Sequence, residues 1–130
     1  KGRKIALEDW LPVLKKDYEF VSLDYKENPE LEMFCELNDV KIHTFNTITQ
    51  SKDYDDTAGL ISALDMVVGV NTTALHCSAA LGVKTVALIP EYHGWRYAYH
   101  FVPWYRSMRM VHQKDKTWGE VLTKVAEDLL

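Results

Sequence analysis

Two threonines, Thr72 and Thr73, stand where a buried strand is expected to give way to a helix. The apolar run Met66–Val70 has the length of a strand, and Asn71 breaks it before a helical pattern begins. A helix N-terminus offers N–H groups without intrahelical partners and a partial positive charge. The two hydroxyls add polar groups at the same place, which therefore suits a phosphate or diphosphate. An ordinary helix cap at Asn71 or Thr72 explains the same residues equally well.

The hydrophobic pattern alternates between strands and helices along the chain. The predicted strands are Phe20–Tyr25, Lys41–Phe45, Met66–Val70, Thr85–Pro90 and Met108–Gln113. The predicted helices are Glu8–Lys16, one that starts at Asn28 and Pro29, Asp55–Asp65, Ala74–Leu81 closed by Gly82, and one that starts at Thr117. Thr44–Tyr54 is predicted as a loop. Alternation of this kind predicts an α/β fold, with a Rossmann-like parallel sheet and helices on both faces.

The location of the threonines has a functional meaning in such a fold. Ligands of open parallel sheets bind at the carboxyl ends of the strands, and Thr72 and Thr73 follow such an end. The sequence has neither a Gly-rich phosphate loop with a Lys nor a GxGxxG motif. Asp53 and Asp55 have the spacing of a metal-binding Asp-x-Asp pair, but they precede an ordinary helix, which favours capping. This pair is therefore not expected to bind a metal.

Composition and charge exclude several classes of protein. The chain has 130 residues, of which 47% are hydrophobic and 26% charged, and this suits one globular domain. No apolar run reaches the roughly 18 residues of a membrane-spanning helix. The net charge of -4 argues against nucleic-acid binding. Cys35 and Cys77 form neither a disulfide framework nor a zinc motif, which favours core packing and a reducing, cytoplasmic setting.

The segment Asp55–Pro90 resembles the C-terminal domain of GT-B glycosyltransferases. It is most similar to the heptosyltransferase-like glycosyltransferase family 9 and to the bacterial glycosyltransferases attached to tetratricopeptide repeats. The resemblance rests on a helix, a strand, a polar turn, a second helix and a strand ending in Pro; the residues are Ala63-Leu64-Asp65, Asn71–His76, Ala80-Leu81-Gly82 and Pro90. It extends through Gly94–Tyr97, Pro103–Tyr105, Ser107–Arg109 and the final helix with Trp118.

This resemblance implies that residues 1–130 form one nucleotide-sugar (donor) binding domain, a fragment of a longer protein. The whole protein would be a metal-independent glycosyltransferase that uses a nucleoside-diphosphate sugar as substrate and needs no cofactor. The residues expected at the donor diphosphate are Asn71, Thr72, Thr73 and His76. The residues expected at the nucleotide or sugar are Pro90, Glu91, Tyr92 and Arg96. The residues alone leave plainer interpretations open: His76 as a buried structural histidine, and 91–107 as an ordinary aromatic-rich loop.

One departure from the family pattern concerns Asn71, because family members commonly carry Asp at that position. Asn keeps the hydrogen-bonding capacity but loses the charge and any role as a base. A non-catalytic nucleotide- or sugar-phosphate-binding module is therefore an alternative, as is an epimerase-like GT-B relative. No catalytic residue is identified, and activity is expected only of the full-length protein.

The N-terminal segment is short for a domain of this kind. Lys1–Leu7 is a poor central strand, so the first strand and the acceptor-binding half are expected to lie outside this chain. A sheet without that strand would expose an edge that favours a homodimer. The expected partners are a nucleotide sugar and the acceptor-binding half, with no nucleic acid and no membrane span.

Overall fold

The computed structural model describes residues 5–24, 26, 28–70, 72–91, 101–102 and 105–130. The helices are a 3-10 helix Leu7–Trp10, α1 Leu11–Leu14, α2 Leu31–Asn38, α3 Asn46–Thr49, α4 Tyr54–Ser62, α5 Thr73–Ala80 and α6 Trp118–Asp128. The strands are β1 Phe20–Ser22, β2 Ile42–Thr44, β3 Met66–Val70, β4 Lys84–Ile89, β5 Phe101–Val102 and β6 Tyr105–His112. The chain divides into two compact units, with one boundary inside α4.

The first unit contains Ala58–Thr117 and is called the four-stranded unit. Its strands are ordered β3-β4-β6-β5, with β3, β4 and β6 parallel and β5 antiparallel at one side. Val70 lies opposite Leu88, and Ile89 lies opposite His112. The carboxyl ends of three neighbouring strands therefore meet at one edge, and α5 packs against all three strands.

Strand β4 carries the core of this unit. Its residues from Thr85 to Ile89 are all buried, as expected for a strand of a parallel sheet covered on both faces. Other buried apolar side chains of the unit include Ile61, Val67, Leu75, Ala79, Met108 and Met110. The prediction of an α/β fold with parallel strands and flanking helices is confirmed. In the described residues the strands form two sheets, whereas the sequence pattern predicted one.

Two buried hydroxyls link α5 to β4 inside this apolar core. Ser78 Oγ lies 2.7 Å from Thr85 Oγ1, and both residues are 0% exposed. Thr85 Oγ1 also donates to the Val83 carbonyl, at 2.8 Å. The single hydroxyl proton of Thr85 is used in the bond to the Val83 carbonyl. The Ser78 hydroxyl must therefore donate to Thr85 Oγ1.

Helix α5 ends at a glycine, as predicted. Gly82 has φ +80°, and its N–H donates to the Ala79 carbonyl at 3.1 Å. The N–H of Val83 donates to the Ser78 carbonyl at 3.0 Å. These two bonds form a Schellman motif, which satisfies the last carbonyls of the helix and requires a left-handed residue.

The second unit contains Ile5–Thr57 and Trp118–Leu130 and is called the two-stranded unit. Strands β1 and β2 pair in parallel, with Phe20 opposite Ile42. Helix α6 packs against α1 and the 3-10 helix. The predicted apolar face of α6 is buried at Trp118, Val121, Leu122 and Val125.

Three sequence predictions need correction. The helix predicted from Asn28 begins at Leu31; Asn28 instead opens a turn, in which its side chain accepts the Glu30 N–H at 3.0 Å and its carbonyl accepts the Leu31 N–H at 3.1 Å. The segment predicted as a loop contains α3, whose Thr49 is buried and donates through its hydroxyl to the Phe45 carbonyl. The last strand begins at Tyr105, three residues early, because it also pairs with β5.

We predict that the Ser78–Thr85 contact behaves as a coupled pair. Ser78→Ala or Thr85→Val alone should lower the free energy of unfolding by about 1–2 kcal/mol, because each removes the buried hydrogen bond between the two hydroxyls. Thr85→Val should cost more, because it also removes the donor to the Val83 carbonyl. The double substitution should cost less than the sum of the two, and urea unfolding of the four proteins measures this difference. Additive costs would show that the two hydroxyls do not interact.

An ion pair links β2 to the residue that precedes β1. His43 Nε2, in β2, lies 2.8 Å from Glu19 Oε2, which precedes β1. The hydrogen bond from His43, followed by the charge of this residue, holds the pKa of the Glu19 carboxyl below its usual value.

We therefore predict that an NMR titration places the Glu19 midpoint below that of an ordinary Glu, and that His43→Leu raises it. Lys41→Met should raise it less, because Lys41 is the weaker influence. A lowered carboxyl pKa adds stability above the ordinary Glu pKa, and that stability is lost as the pH falls through the lowered value. Since Glu19 is exposed, the unfolding free energy should change little. An unchanged midpoint in His43→Leu contradicts the pairing.

Candidate functional site

Two exposed threonines stand at the start of α5. Thr72 is extended, with φ -126° and ψ 174°, and Thr73 is the first residue of α5; both are exposed. We call this pair the threonine turn. The first bonds of the helix run from the N–H groups of Leu75 and His76 to the Thr72 carbonyl, at 3.2 and 3.3 Å. The N–H groups of Thr73 and Ala74 precede these bonds and belong to the positive end of the helix.

The side chain of Thr72 bears on the choice between a helix cap and a ligand site. Thr72 occupies the cap position of α5, yet its side chain makes no cap hydrogen bond. The Thr72 hydroxyl therefore does not cap α5 in this structure. The hydroxyl and the early N–H groups of α5 together offer hydrogen bonds to an anion.

His76 lies one helical turn beyond the threonine turn. Residues three and four apart share a helix face, so His76 stands on the same side of α5 as Thr72 and Thr73. The residue is half-buried, and its ring centroid lies 5.8 Å from that of Tyr105, with the rings inclined by 55°. Such tilted aromatic pairs are favourable. One turn further along α5, the Ser107 hydroxyl donates to the Ala79 carbonyl at 2.7 Å. Strand β6 therefore holds this side of α5 at two points.

The carboxyl end of β4 contributes the next predicted residues. Pro90 is buried and Glu91 is exposed. The Glu91 N–H donates to Gln113 Oε1 at 3.1 Å, and the Gln113 N–H donates to the Ile89 carbonyl at 2.8 Å. Gln113 was not among the site residues predicted from the sequence. Its position, as a polar residue at the end of the last parallel strand, is the feature of the sequence that could have indicated it.

The structure brings part of the predicted site to one edge. The threonine turn follows β3 and Glu91 follows β4, two neighbouring parallel strands. His76 stands behind the turn on α5. Three other predicted contacts, Asn71, Tyr92 and Arg96, lie outside the described residues, so their roles stay predictions.

Charge is distributed unequally between the two units. The segment 58–117 carries six Lys and Arg against three Asp and Glu. The two-stranded unit, 5–57 with 118–130, carries six against sixteen. The candidate site lies on the unit with the basic excess, where an anion is electrostatically favoured.

The acidic motif before α4 has the capping role that the sequence favoured. Asp53 Oδ1 accepts the Asp55 N–H at 3.0 Å, and the Ser51 hydroxyl donates to Asp56 Oδ2 at 2.6 Å. Among the described residues, no group of three or more His, Cys, Asp or Glu side chains is arranged to hold a metal. Cys35 and Cys77 are free thiols and only partly buried, so neither lies in the fully buried core.

Comparison with known proteins gives one distant relative. Neither a family model nor a solved structure matches the chain. Protein FlbA of Caulobacter vibrioides is 30% identical to it over 123 residues, which is 92% of this chain and 21% of that protein. The chain thus spans about one fifth of the length of this relative. The name FlbA states no activity.

The part of the chain that the structure describes contains no helix with the length and apolarity to span a membrane.

The missing cap bond leads to a stability prediction. Replacing an N-cap Thr normally costs about 1 kcal/mol, but Thr72→Val should change the unfolding free energy by less than about 0.5 kcal/mol. Asn28→Ala is the matched control, because the Asn28 side chain does accept a backbone N–H, in the turn that leads into α2, and this substitution should destabilise the protein more. Urea unfolding measures both. A loss of about 1 kcal/mol of unfolding free energy in Thr72→Val would show that the hydroxyl does cap α5.

Proposed function

We propose that this chain is the donor-binding domain of a metal-independent glycosyltransferase that uses a nucleoside-diphosphate sugar. The observation that carries the proposal is the threonine turn: two exposed hydroxyls at the start of α5, directly after the carboxyl end of a parallel strand. The resemblance of Asp55–Pro90 to GT-B donor domains gives the ligand class. The full-length protein would also contain the acceptor-binding half.

The same turn supplies the chemistry that such a reaction needs. When the glycosidic bond to the donor breaks, negative charge grows on the departing nucleoside diphosphate. Hydroxyls and helix N–H groups that already face this position stabilise the charge without reorganising. His76, fixed against Tyr105 one turn along α5, is proposed to face the same diphosphate. Pro90 and Glu91 are proposed to border the nucleotide or sugar.

A second candidate is a non-catalytic module that binds a nucleotide or sugar phosphate. The observation in its favour is Asn71, which lacks the carboxylate that the family pattern commonly has at that position. The two proposals share the threonine turn and differ only in turnover by the full-length protein. For either, the free thiols of Cys35 and Cys77 suit a reducing, cytoplasmic location.

Thermal unfolding with ADP, GDP, CDP, UDP and their sugar conjugates tests the binding claim. A ligand at 100 times its Kd stabilises the folded state by about 2.7 kcal/mol, which raises Tm by several degrees. Thr72→Val combined with Thr73→Val should abolish this rise and leave the Tm without ligand nearly unchanged.

A matched control replaces two exposed threonines of the two-stranded unit, Thr44 and Thr47, by Val. That variant should respond to ligand as the wild type does. Failure of every nucleotide to raise the Tm of the folded wild type refutes the proposed function. A normal rise in the Thr72, Thr73 variant moves the site elsewhere.

A further inference from the structure

Gln113 directly follows β6, and three of its four polar groups fix its position at the edge of the sheet. Its N–H donates to the Ile89 carbonyl at 2.8 Å, and its own carbonyl accepts the Lys116 N–H at 3.2 Å. Its side-chain Oε1 accepts the Glu91 N–H at 3.1 Å. The half-buried Gln113 is therefore bonded to the residues before and after Pro90, at the end of β4.

The partner of Oε1 determines which way the amide points. The oxygen and nitrogen of a Gln side chain are distinguished by the groups they meet. A backbone N–H can only donate, so the atom of Gln113 that faces Glu91 must be the oxygen. The Nε2 group, with two N–H donors, points away from that bond and meets no acceptor among the described residues.

Gln113 lies at the same edge as the threonine turn. Strands β3, β4 and β6 are parallel neighbours in that order. With about 4.8 Å between adjacent strands, the ends of β3 and β6 are about 10 Å apart. A nucleotide whose diphosphate occupies the threonine turn, and which extends along this edge, passes the end of β4 at Glu91. Its nucleoside then reaches the end of β6.

We infer that Gln113 Nε2 donates a hydrogen bond to an acceptor oxygen on the nucleoside part of the ligand. The inference rests on the proposed function, and it adds a residue that determines specificity. The bond to Glu91 orients the amide before the ligand arrives, so little side-chain freedom is lost on binding. A ligand without a nucleoside gains nothing from this donor, and Gln113 thereby favours nucleoside diphosphates over pyrophosphate.

Isothermal titration of ADP, GDP, CDP, UDP and inorganic pyrophosphate tests the inference. Gln113→Glu keeps an oxygen toward the Glu91 N–H but replaces the two donors by an acceptor. Gln113→Met removes both functions without adding charge. Gln113→Met should raise the Kd of the best nucleoside diphosphate about three- to tenfold and leave that of pyrophosphate unchanged. Gln113→Glu should weaken the nucleotide at least as much, and Gln50→Met, at an exposed Gln of the two-stranded unit, should change nothing.

The possible results separate the two proposals. A Gln113→Met protein that binds the nucleotide as the wild type does overturns the inference and leaves the proposed function standing. An equal loss for pyrophosphate also overturns it, because Gln113 would then act only by shaping the edge. A wild type that binds no nucleoside diphosphate refutes the proposed function and the inference together. If the effect of Gln113→Met disappears with the 2′-deoxynucleotide, the acceptor is the ribose 2′-oxygen; if it depends on the base, the acceptor is a base carbonyl.

Discussion

Strand β4 pairs with β3 on one side and with β6 on the other, and its side chains from Thr85 to Ile89 are removed from water. The placement of α5 and of the candidate site depends on this double parallel pairing. Parallel neighbours cannot be joined by a tight turn, so the chain must leave β3 at its carboxyl end and return through a helix. Helix α5 forms this crossover connection, and the threonine turn lies at its start.

The same pairing explains why separate parts of the chain lie at one edge of the sheet. Thr72, Glu91 and Gln113 are far apart in sequence, yet each follows the carboxyl end of one of three adjacent strands. The register of the sheet therefore sets their spacing more firmly than any loop could. Side chains from β6 then set the position of α5, through Tyr105 on His76 and Ser107 on the Ala79 carbonyl.

The sequence predicts those parts of the fold that depend on local pattern. Met66–Val70 is a strand with the predicted bounds. An apolar run this short, between a helix and a polar break, is long enough for a buried strand but too short for a helix. Gly82 ends α5 for the equally local reason that a left-handed residue is needed there. The helix α3 was not predicted, because three of its four residues are polar and only Thr49 is buried. The early start of β6 depends on pairing with β5, a contact that no local pattern encodes.

The candidate site divides in the same way. Thr72 and Thr73 can be found from sequence because a strand end and a helix start are both local signals. Whether the Thr72 hydroxyl caps its helix depends on a side-chain rotamer, which the pattern does not specify. Gln113 depends on the alignment of β6 with β4, and the contact of Tyr105 with His76 depends on how α5 crosses the sheet. These are tertiary relations, so they become visible only in three dimensions.

The hydroxyl pair of Ser78 and Thr85 also bears on how reliably the chain finds this arrangement. Apolar side chains along β4 are nearly interchangeable, so hydrophobic contact alone discriminates weakly between the native alignment and one shifted along the strand. A shift of one residue turns every side chain to the opposite face. It would bring Lys84, now exposed, into the place of Thr85 opposite Ser78. A charge buried there without a partner is costly. The opposite shift would place Val86 against the buried Ser78 hydroxyl, which would then lose its acceptor, so the residues around this contact disfavour both misalignments.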